Sequence, residues 1–245
     1  MKVLEFLQDR FGKEKVHMTL IDPAKQEPPQ AGEIGARAAA LGSAAIMIGG
    51  STGIAQASLD ATVQSIKQSA RVPTILFPGN SQGLSRHADA LYFLSLLNSR
   101  NPEMIVGEQR RAARQVKALG LETIPMGYLI VEPGMEVGAV GEANLIPRDR
   151  PELAAEYALA AELFGMRLVY LEAGSGAPDP VPERMIRAVK QELSVPLVVG
   201  GGIRTAEGAQ RVAKAGADIV VTGTIVEENP DLSILARVIR AVREA

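Results

Sequence analysis

The feature that most constrains the fold is an alternation of short apolar runs with alanine-rich helical stretches. This pattern is typical of a parallel sheet covered by helices. Most of the runs lack alternate polar residues, as expected for strands that are buried on both faces. The runs predict eight strands, at Val16–Ile21, Ala45–Ile48, Thr74–Phe77, Ala90–Leu94, Thr123–Val131, Leu168–Leu171, Leu197–Val199 and Ile219–Val221.

The segments between the runs predict helices that begin near proline or acidic residues and often end before glycine. An irregularity follows the third run, because PGNSQGLSRHAD between Phe77 and Ala90 allows at most one helical turn. The third helix is therefore predicted to be missing or replaced. The predicted helices are Gln30–Leu41, Pro102–Leu119, Pro151–Phe164, Pro182–Leu193, Ala206–Ala215 and Leu232–Arg243, with an amphipathic helix at residues 1–11.

A length of 245 residues suits one large α/β barrel, since such barrels reach this size without dividing. We therefore predict a single modified (β/α)8 TIM-type barrel domain over residues 1–245. The longest irregular stretch, residues 132–149, follows the fifth strand and would lie at the catalytic rim.

Composition excludes several classes of protein. A net charge of −2 gives no general attraction to nucleic acid, so any anion must be bound locally. The absence of cysteine excludes disulfides and thiolate chemistry, and His17 and His87 form no metal-binding pair. No apolar run reaches the roughly 18 residues of a membrane span, and the N-terminal segment is not a signal peptide. We expect a cytoplasmic protein.

Two glycine-rich loops give the strongest functional signal. VVGGGIR (Val198–Arg204) and VTGT (Val221–Thr224) each end a predicted strand and precede a helix. Glycine lets backbone N–H groups approach phosphate oxygens, and the loops after strands seven and eight of barrels often bind phosphate. Either loop alone could merely turn the chain. Together they favour a phosphate site.

The segment YLEAGSGA (Tyr170–Ala177) ends the sixth strand and could complete this site through Gly174, Gly176 and the hydroxyl of Ser175. Glu172 lies at the strand end, where it could accept the proton of a substrate hydroxyl. The alternative is a carboxylate in a surface turn.

A carboxylate also ends the first strand, at Asp22, and the second strand is followed by Gly49, Gly50 and Ser51. An aspartate with few protein partners suits Mg²⁺ that is shared with substrate phosphates. Alternatively, Asp22 caps a turn before Pro23.

The motifs LIDP, GGST, FPGN, MGYLIVEPG, YLEAGSGAP, VGGGIR and VTGT occur in an order and spacing that resemble the geranylgeranylglyceryl phosphate synthase family, across essentially the whole chain. The resemblance implies a barrel that lacks the third helix. It also implies transfer of a geranylgeranyl group from its diphosphate to the C3 hydroxyl of sn-glycerol 1-phosphate, with Mg²⁺.

The resemblance also implies roles for individual residues. Asp22 and Ser51 would hold Mg²⁺, and the catalytic residues would be Asp22, Tyr170 and Glu172. The expected partners are sn-glycerol 1-phosphate and a polyprenyl diphosphate, with no nucleic acid, transient proximity to a membrane, and assembly into a homo-oligomer. The residues expected to bind glycerol phosphate are Tyr170, Leu171, Glu172, Ala173, Gly174, Ser175, Gly176, Gly201, Gly202, Gly223 and Thr224.

Three alternatives stay open at this level: a heptaprenylglyceryl phosphate synthase with a longer groove, a phosphosugar isomerase, and a non-catalytic phosphate-binding barrel. One departure from related sequences is Ala139, where a tryptophan is expected. The prenyl tail would need an apolar groove across the barrel top. Its expected lining is Leu94, Leu96, Leu97, Met126 and Tyr128.

Overall fold

The computed structural model describes residues 2–49, 53–229 and 231–245, and its parallel strands close into a barrel. Strand β1 pairs with both β2 and β8, which completes the ring. Each predicted strand is present, with ends within two residues of those expected. The strands are β1 (Val16–Ile21), β2 (Ala45–Gly49), β3 (Thr74–Phe77), β4 (Ala90–Leu96), β5 (Glu122–Ile130), β6 (Leu168–Glu172), β7 (Leu197–Gly200) and β8 (Ile219–Thr222).

Helices surround the barrel and lie close to their predicted positions. Among residues 2–49, 53–229 and 231–245, no helix is both long and apolar enough to cross a bilayer. A π-helical turn, Glu103–Gly107, leads directly into α4. The helices are α1 (Val3–Gln8), α2 (Pro28–Leu41), α3 (Gln56–Ser69), α4 (Glu108–Leu119), α5 (Met135–Val140), α6 (Pro151–Leu163), α7 (Glu183–Glu192), α8 (Ala206–Ala215), α9 (Thr224–Glu228) and α10 (Ser233–Arg243).

One full-length helix, α3, is absent from the sequence-based prediction. Its buried residues Leu59, Thr62, Val63 and Ile66 follow the spacing of a helix face. This apolar stripe is narrow and surrounded by polar residues, so the sequence of the segment is also typical of a polar loop. The signal was nevertheless present in the spacing.

The missing helix after β3 is confirmed. Residues 78–89 form turns and bends, and the chain passes from β3 to β4 without a helical crossover. Strand β3 pairs with β4 at only two registered positions, Ile75 with Ala90 and Leu76 with Leu91. Most of β4 therefore extends beyond the last registered pair with β3.

Two apolar layers hold the barrel together. The inner layer fills the barrel and includes Met18, Met47 and Met126, whereas the outer layer packs the strands against the helices. Helix α1 belongs to the inner layer, because its Val3 and Leu7 pack with the barrel interior. The N-terminal helix thus closes one end of the barrel interior.

Candidate active site

A cavity of about 610 Å³ lies at the carboxyl ends of the strands, within the ~300–1,000 Å³ usual for ligand sites. It runs from the loops after β6, β7 and β8 to β4 and the loop between β3 and β4. The predicted site residues that line it are Asp22, Tyr170, Glu172, Ser175, Gly176, Gly201, Gly202, Gly223 and Thr224. Positions distant in sequence therefore meet in one space.

The polar end of the cavity is formed by the loops after β6, β7 and β8, and we call it the phosphate cup. The hydroxyl oxygens of Ser175 and Thr224 lie 3.1 Å apart, which joins the first loop to the third. Gly201 and Gly202 of the middle loop both have positive φ, +80° and +69°. Hydroxyls and exposed backbone without covering side chains are suited to the oxygens of a phosphate.

The three glycines of VGGGIR also have a packing role that sequence reasoning missed. A Cβ on Gly200 would overlap the Tyr170 hydroxyl, and one on Gly201 would overlap the Glu172 carboxylate. A Cβ on Gly202 would overlap the backbone oxygen of Asp179. Two of these glycines therefore make room for the functional side chains of β6, and their role in binding phosphate stays a prediction.

Glu172 is buried, with 7% of its surface exposed, so it is not a carboxylate in a surface turn. Its Oε1 accepts a hydrogen bond of 2.7 Å from the backbone N–H of Gly174, and the Tyr128 and Tyr170 hydroxyls also donate to it. Burial raises the pKa of Glu172, and these hydrogen bonds oppose the shift. A buried carboxylate with a raised pKa beside the phosphate cup has the properties of a general base.

Four aromatic rings from β3, β4, β5 and β6 form the floor of the cavity. The Tyr128 and Tyr170 rings meet edge to face at 5.1 Å, and Phe77 lies 5.6 Å from Tyr128 and 5.8 Å from Tyr170. Tyr92 completes the group at 6.4 Å from Phe77. Sequence reasoning singled out only Tyr170 as catalytic, because nothing in the spacing indicates that the rings converge.

Asp22 follows β1 and lines the cavity while only 8% exposed. Its Oδ1 accepts from the backbone N–H of Ala24 at 3.0 Å, so the alternative of a turn cap is present as well. Ser51, the other predicted Mg²⁺ ligand, lies outside the described residues. Within the described part of the chain, no group of three or more His, Cys, Asp or Glu side chains could hold a metal ion.

Two predicted binding residues face away from the cavity. Leu171 is fully buried in the outer layer, and Ala173 is buried there too. Gly174 contributes its N–H to Glu172. Leu171, Ala173 and Gly174 therefore do not line the cavity, and they shape the loop through their backbone.

The other end of the cavity is apolar, and we call it the groove. Of its expected lining, Leu94, Leu96 and Tyr128 are present, whereas Leu97 and Met126 pack in the outer and inner layers. Residues of the loop 78–89, the π-helical turn, α4 and α5 take their place. The apolar residues that line the groove are Leu84, Leu91, Phe93, Leu94, Leu96, Met104, Ala112, Val137 and Val140.

Comparison with known proteins agrees with this geometry. The model of the PcrB family matches residues 9–245. Geranylgeranylglyceryl phosphate synthase of Thermococcus gammatolerans is 56% identical over 227 residues, 93% of this chain and 90% of that protein. The Pyrococcus horikoshii protein of the same name is 52% identical over 99% of this chain and 95% of that protein.

A solved structure gives the same result. The crystal structure of (S)-3-O-geranylgeranylglyceryl phosphate synthase from Thermoplasma acidophilum, in complex with its substrate sn-glycerol-1-phosphate, has a TM-score of 0.97 and 47% identity. The match covers 100% of both chains. The chain therefore belongs to the PcrB family, together with the geranylgeranylglyceryl phosphate synthases it resembles.

Proposed function

We propose that this chain is a prenyltransferase that joins the geranylgeranyl group of geranylgeranyl diphosphate to the C3 hydroxyl of sn-glycerol 1-phosphate, releasing diphosphate. The observation that carries the proposal is one continuous cavity, in which a buried carboxylate lies between the phosphate cup and the groove. A small phosphorylated alcohol fits one end and a long apolar chain fits the other. Relatives of more than 50% identity bear the name of this activity.

The acceptor phosphate would lie in the phosphate cup, between Ser175, Thr224 and the backbone of Gly201, Gly202 and Gly223. The rest of the acceptor would then extend toward Glu172, because that carboxylate adjoins the first loop of the cup. Holding the phosphate fixes the position of the C3 hydroxyl, which lowers the entropic cost of the reaction.

Glu172 would orient the C3 hydroxyl and take its proton as the oxygen bonds to C1 of the donor. Tyr128 and Tyr170 donate hydrogen bonds to this carboxylate, so they hold it in place. The pKa of Glu172 is raised toward neutral pH, and a general base is more effective when its pKa lies near the working pH. Tyr170 would act by positioning the Glu172 carboxylate, and its ring would form part of the cavity wall beside the reacting atoms.

The prenyl tail would occupy the groove. In a complete barrel a helix after β3 would cover the outer face of β4, where Leu91 and Phe93 lie. Without that helix the cavity reaches both residues, and α4 contributes the small side chain of Ala112. An apolar chain placed here is removed from water, which favours binding by about 25 cal/mol for each Å² of buried apolar surface.

We further propose that Asp22 would hold Mg²⁺, which would supply positive charge to offset the negative charge that develops on the leaving diphosphate. Asp22 fits such an ion because Mg²⁺ is usually held by one or two carboxylates together with substrate phosphates. In the described lining, the carboxylates Asp22, Glu108, Glu136, Glu172 and Glu227 face only two cationic side chains, Lys25 and Arg204. Side chains alone therefore supply little positive charge for two anionic substrates.

We also propose that the protein works as a cytoplasmic homo-oligomer with transient proximity to a membrane, since its donor and product both carry long apolar chains. The Ala139 side chain, on α5, is exposed beside the groove rim. An alanine there leaves any subunit contact on this helix without an aromatic anchor.

A donor and acceptor screen tests the proposal. The purified protein is incubated with radiolabelled sn-glycerol 1-phosphate and farnesyl, geranylgeranyl or heptaprenyl diphosphate, with Mg²⁺ or with EDTA. We expect a butanol-extractable product that is most abundant with geranylgeranyl diphosphate and that depends on Mg²⁺. The enantiomer sn-glycerol 3-phosphate is the matched control for the acceptor.

Each alternative gives a different result. A preference for heptaprenyl diphosphate would make this chain a heptaprenylglyceryl phosphate synthase. The absence of product with every donor, together with turnover of a phosphosugar, would overturn the proposal in favour of an isomerase. Tight phosphate binding without any product would indicate a non-catalytic barrel.

A further inference from the structure

A lysine at the cavity wall takes no part in the proposed proton transfer or in acceptor binding. Lys25 follows Asp22 in the turn after β1, and its backbone N–H donates to the carbonyl of Asp22 at 3.0 Å. The same turn therefore places both the Asp22 carboxylate and the Lys25 ammonium at the cavity. The lysine side chain keeps 48% of its surface exposed, so it can move without disturbing the core.

The lysine is paired across the cavity mouth. Its Nζ lies 2.8 Å from Oε2 of Glu227 on α9, the short helix that begins at Thr224 of the phosphate cup. Asp22 and Glu136 add further negative charge near it, and together with Glu227 they raise the pKa of Lys25. Lys25 is thus a charged ammonium held by a carboxylate of α9.

The distribution of charge indicates which anion this ammonium can bind. The described cavity lining has one other cationic side chain, Arg204, and its guanidinium donates to the Gly176 carbonyl at the phosphate cup. Lys25 lies instead beside Asp22, where the donor diphosphate would be placed. An ammonium is a common ligand of phosphate oxygens, and an exposed ion pair is weak enough to exchange.

We propose that Lys25 binds the diphosphate of the prenyl donor and that Glu227 is its resting partner, which the diphosphate displaces. The inference rests on the proposed function for the identity of the anion. Glu227 then competes with the donor diphosphate for the Lys25 ammonium. Removing the lysine should weaken diphosphate binding, whereas removing the glutamate charge should strengthen it.

The test measures binding of inorganic pyrophosphate by titration calorimetry, with and without Mg²⁺, to the wild type, Lys25→Gln and Glu227→Gln. We expect Kd to rise about tenfold in Lys25→Gln, the low end of the loss for a charge-assisted hydrogen bond. In Glu227→Gln we expect Kd to fall about two- to fivefold, since an exposed ion pair opposes binding by at most that amount. Lys25→Arg should keep the wild-type Kd within about twofold.

Steady-state kinetics with the full enzyme provide the second measurement. The KM for the prenyl diphosphate should move in opposite directions in the two variants, and the KM for glycerol phosphate should stay within about twofold. If Lys25 and Glu227 only tie α9 to the β1 turn, both variants will raise the KM for both substrates. That result would overturn the inference. Thermal unfolding checks that each variant is folded.

These measurements separate the two proposals. Pyrophosphate binding needs no turnover, so opposite shifts in Kd would support the role of Lys25 even if no prenyl transfer were found. Conversely, prenyl transfer by the wild type with equal losses in both variants would retain the proposed function and refute the role of Lys25.

Discussion

The sharpest prediction about stability concerns His17, which is buried between β1, β2 and β8. Its Nδ1 lies 3.1 Å from the Ser43 hydroxyl and its Nε2 lies 2.9 Å from the Thr222 hydroxyl. Ser43 is further bonded to Thr19 at 2.9 Å. Both ring nitrogens are therefore engaged by neutral hydroxyls, and no carboxylate is bonded to the ring. Burial lowers the pKa of His17 from 6.5 to about 3.

This lowered pKa makes folding depend on pH. In the unfolded chain His17 takes up a proton below about pH 6.5, but in the folded chain it stays neutral to about pH 3. Its contribution to stability is thus fully present above pH 6.5 and is lost as the pH falls. Each pH unit is worth about 1.4 kcal/mol, so a change from pH 8 to pH 5 should cost about 2 kcal/mol through His17 alone.

Replacement of His17 by glutamine should abolish this part of the pH dependence, because glutamine keeps hydrogen-bonding groups but does not titrate. The measurement is the free energy of unfolding from urea denaturation at pH 8 and pH 5 for the wild type, His17→Gln and His87→Gln. His87→Gln, which replaces the other histidine, is the control for removing a histidine outside this hydroxyl network. The difference between pH 8 and pH 5 should be about 2 kcal/mol smaller in His17→Gln. An equal difference in all three proteins would refute the reasoning.

The remaining predictions concern the reaction. Glu172→Gln should lower turnover ~10²–10⁴-fold, with a smaller effect on acceptor KM, and should remove the fall of the rate at acid pH that protonation of this carboxylate causes. Asp22→Asn should leave Tm unchanged but lower the rate most at limiting Mg²⁺, in a Mg²⁺ titration of activity. Gly223→Ala should raise acceptor KM at unchanged Tm, because its Cβ would make only ordinary contacts. Gly202→Ala should lower Tm as well, since its φ is +69° and Asp179 blocks a Cβ.

Each of these predictions has an outcome that would contradict it. Unchanged kcat and KM in Glu172→Gln would make this carboxylate structural. A normal rate at limiting Mg²⁺ in Asp22→Asn would show that Asp22 does not bind the ion. Equal losses of Tm in the two glycine variants would show that packing alone explains both glycines.

The strand ends could be predicted from sequence because buried parallel strands and the glycines that follow them are local signals. Asp22, Glu172 and the glycine loops all directly follow such runs, so their convergence followed from the barrel itself. The packing role of Gly200 and Gly201 could not be predicted, because it depends on Tyr170 and Glu172 of the neighbouring strand. How closely the side chains of two neighbouring strands approach is not a property of either segment alone.

The lining of the groove was predicted less well, because β4 is apolar on both faces. Leu91 and Phe93 alternate with Tyr92 and Leu94, and periodicity cannot tell which pair faces the groove when all four are apolar. The structure shows that the cavity reaches both sets. The prediction that Met126 lines the groove is wrong for another reason: Met126 lies two residues before Tyr128 on β5, farther from the carboxyl end where the cavity lies.

The missing helix links the fold to the choice of substrate. The loop 78–89 is held over the gap from both sides: Gln56 of α3 donates to the Leu84 carbonyl at 2.8 Å, and Glu108 of α4 accepts from the Ser81 N–H at 2.7 Å. Because these bonds fix the loop, the barrel keeps an apolar channel where a helix would otherwise pack. A phosphate cup alone would suit many phosphorylated substrates, so the cup cannot define the reaction. Under the proposed function, it is the joining of the cup to this channel beside Glu172 that would select a phosphorylated alcohol and a long apolar donor together.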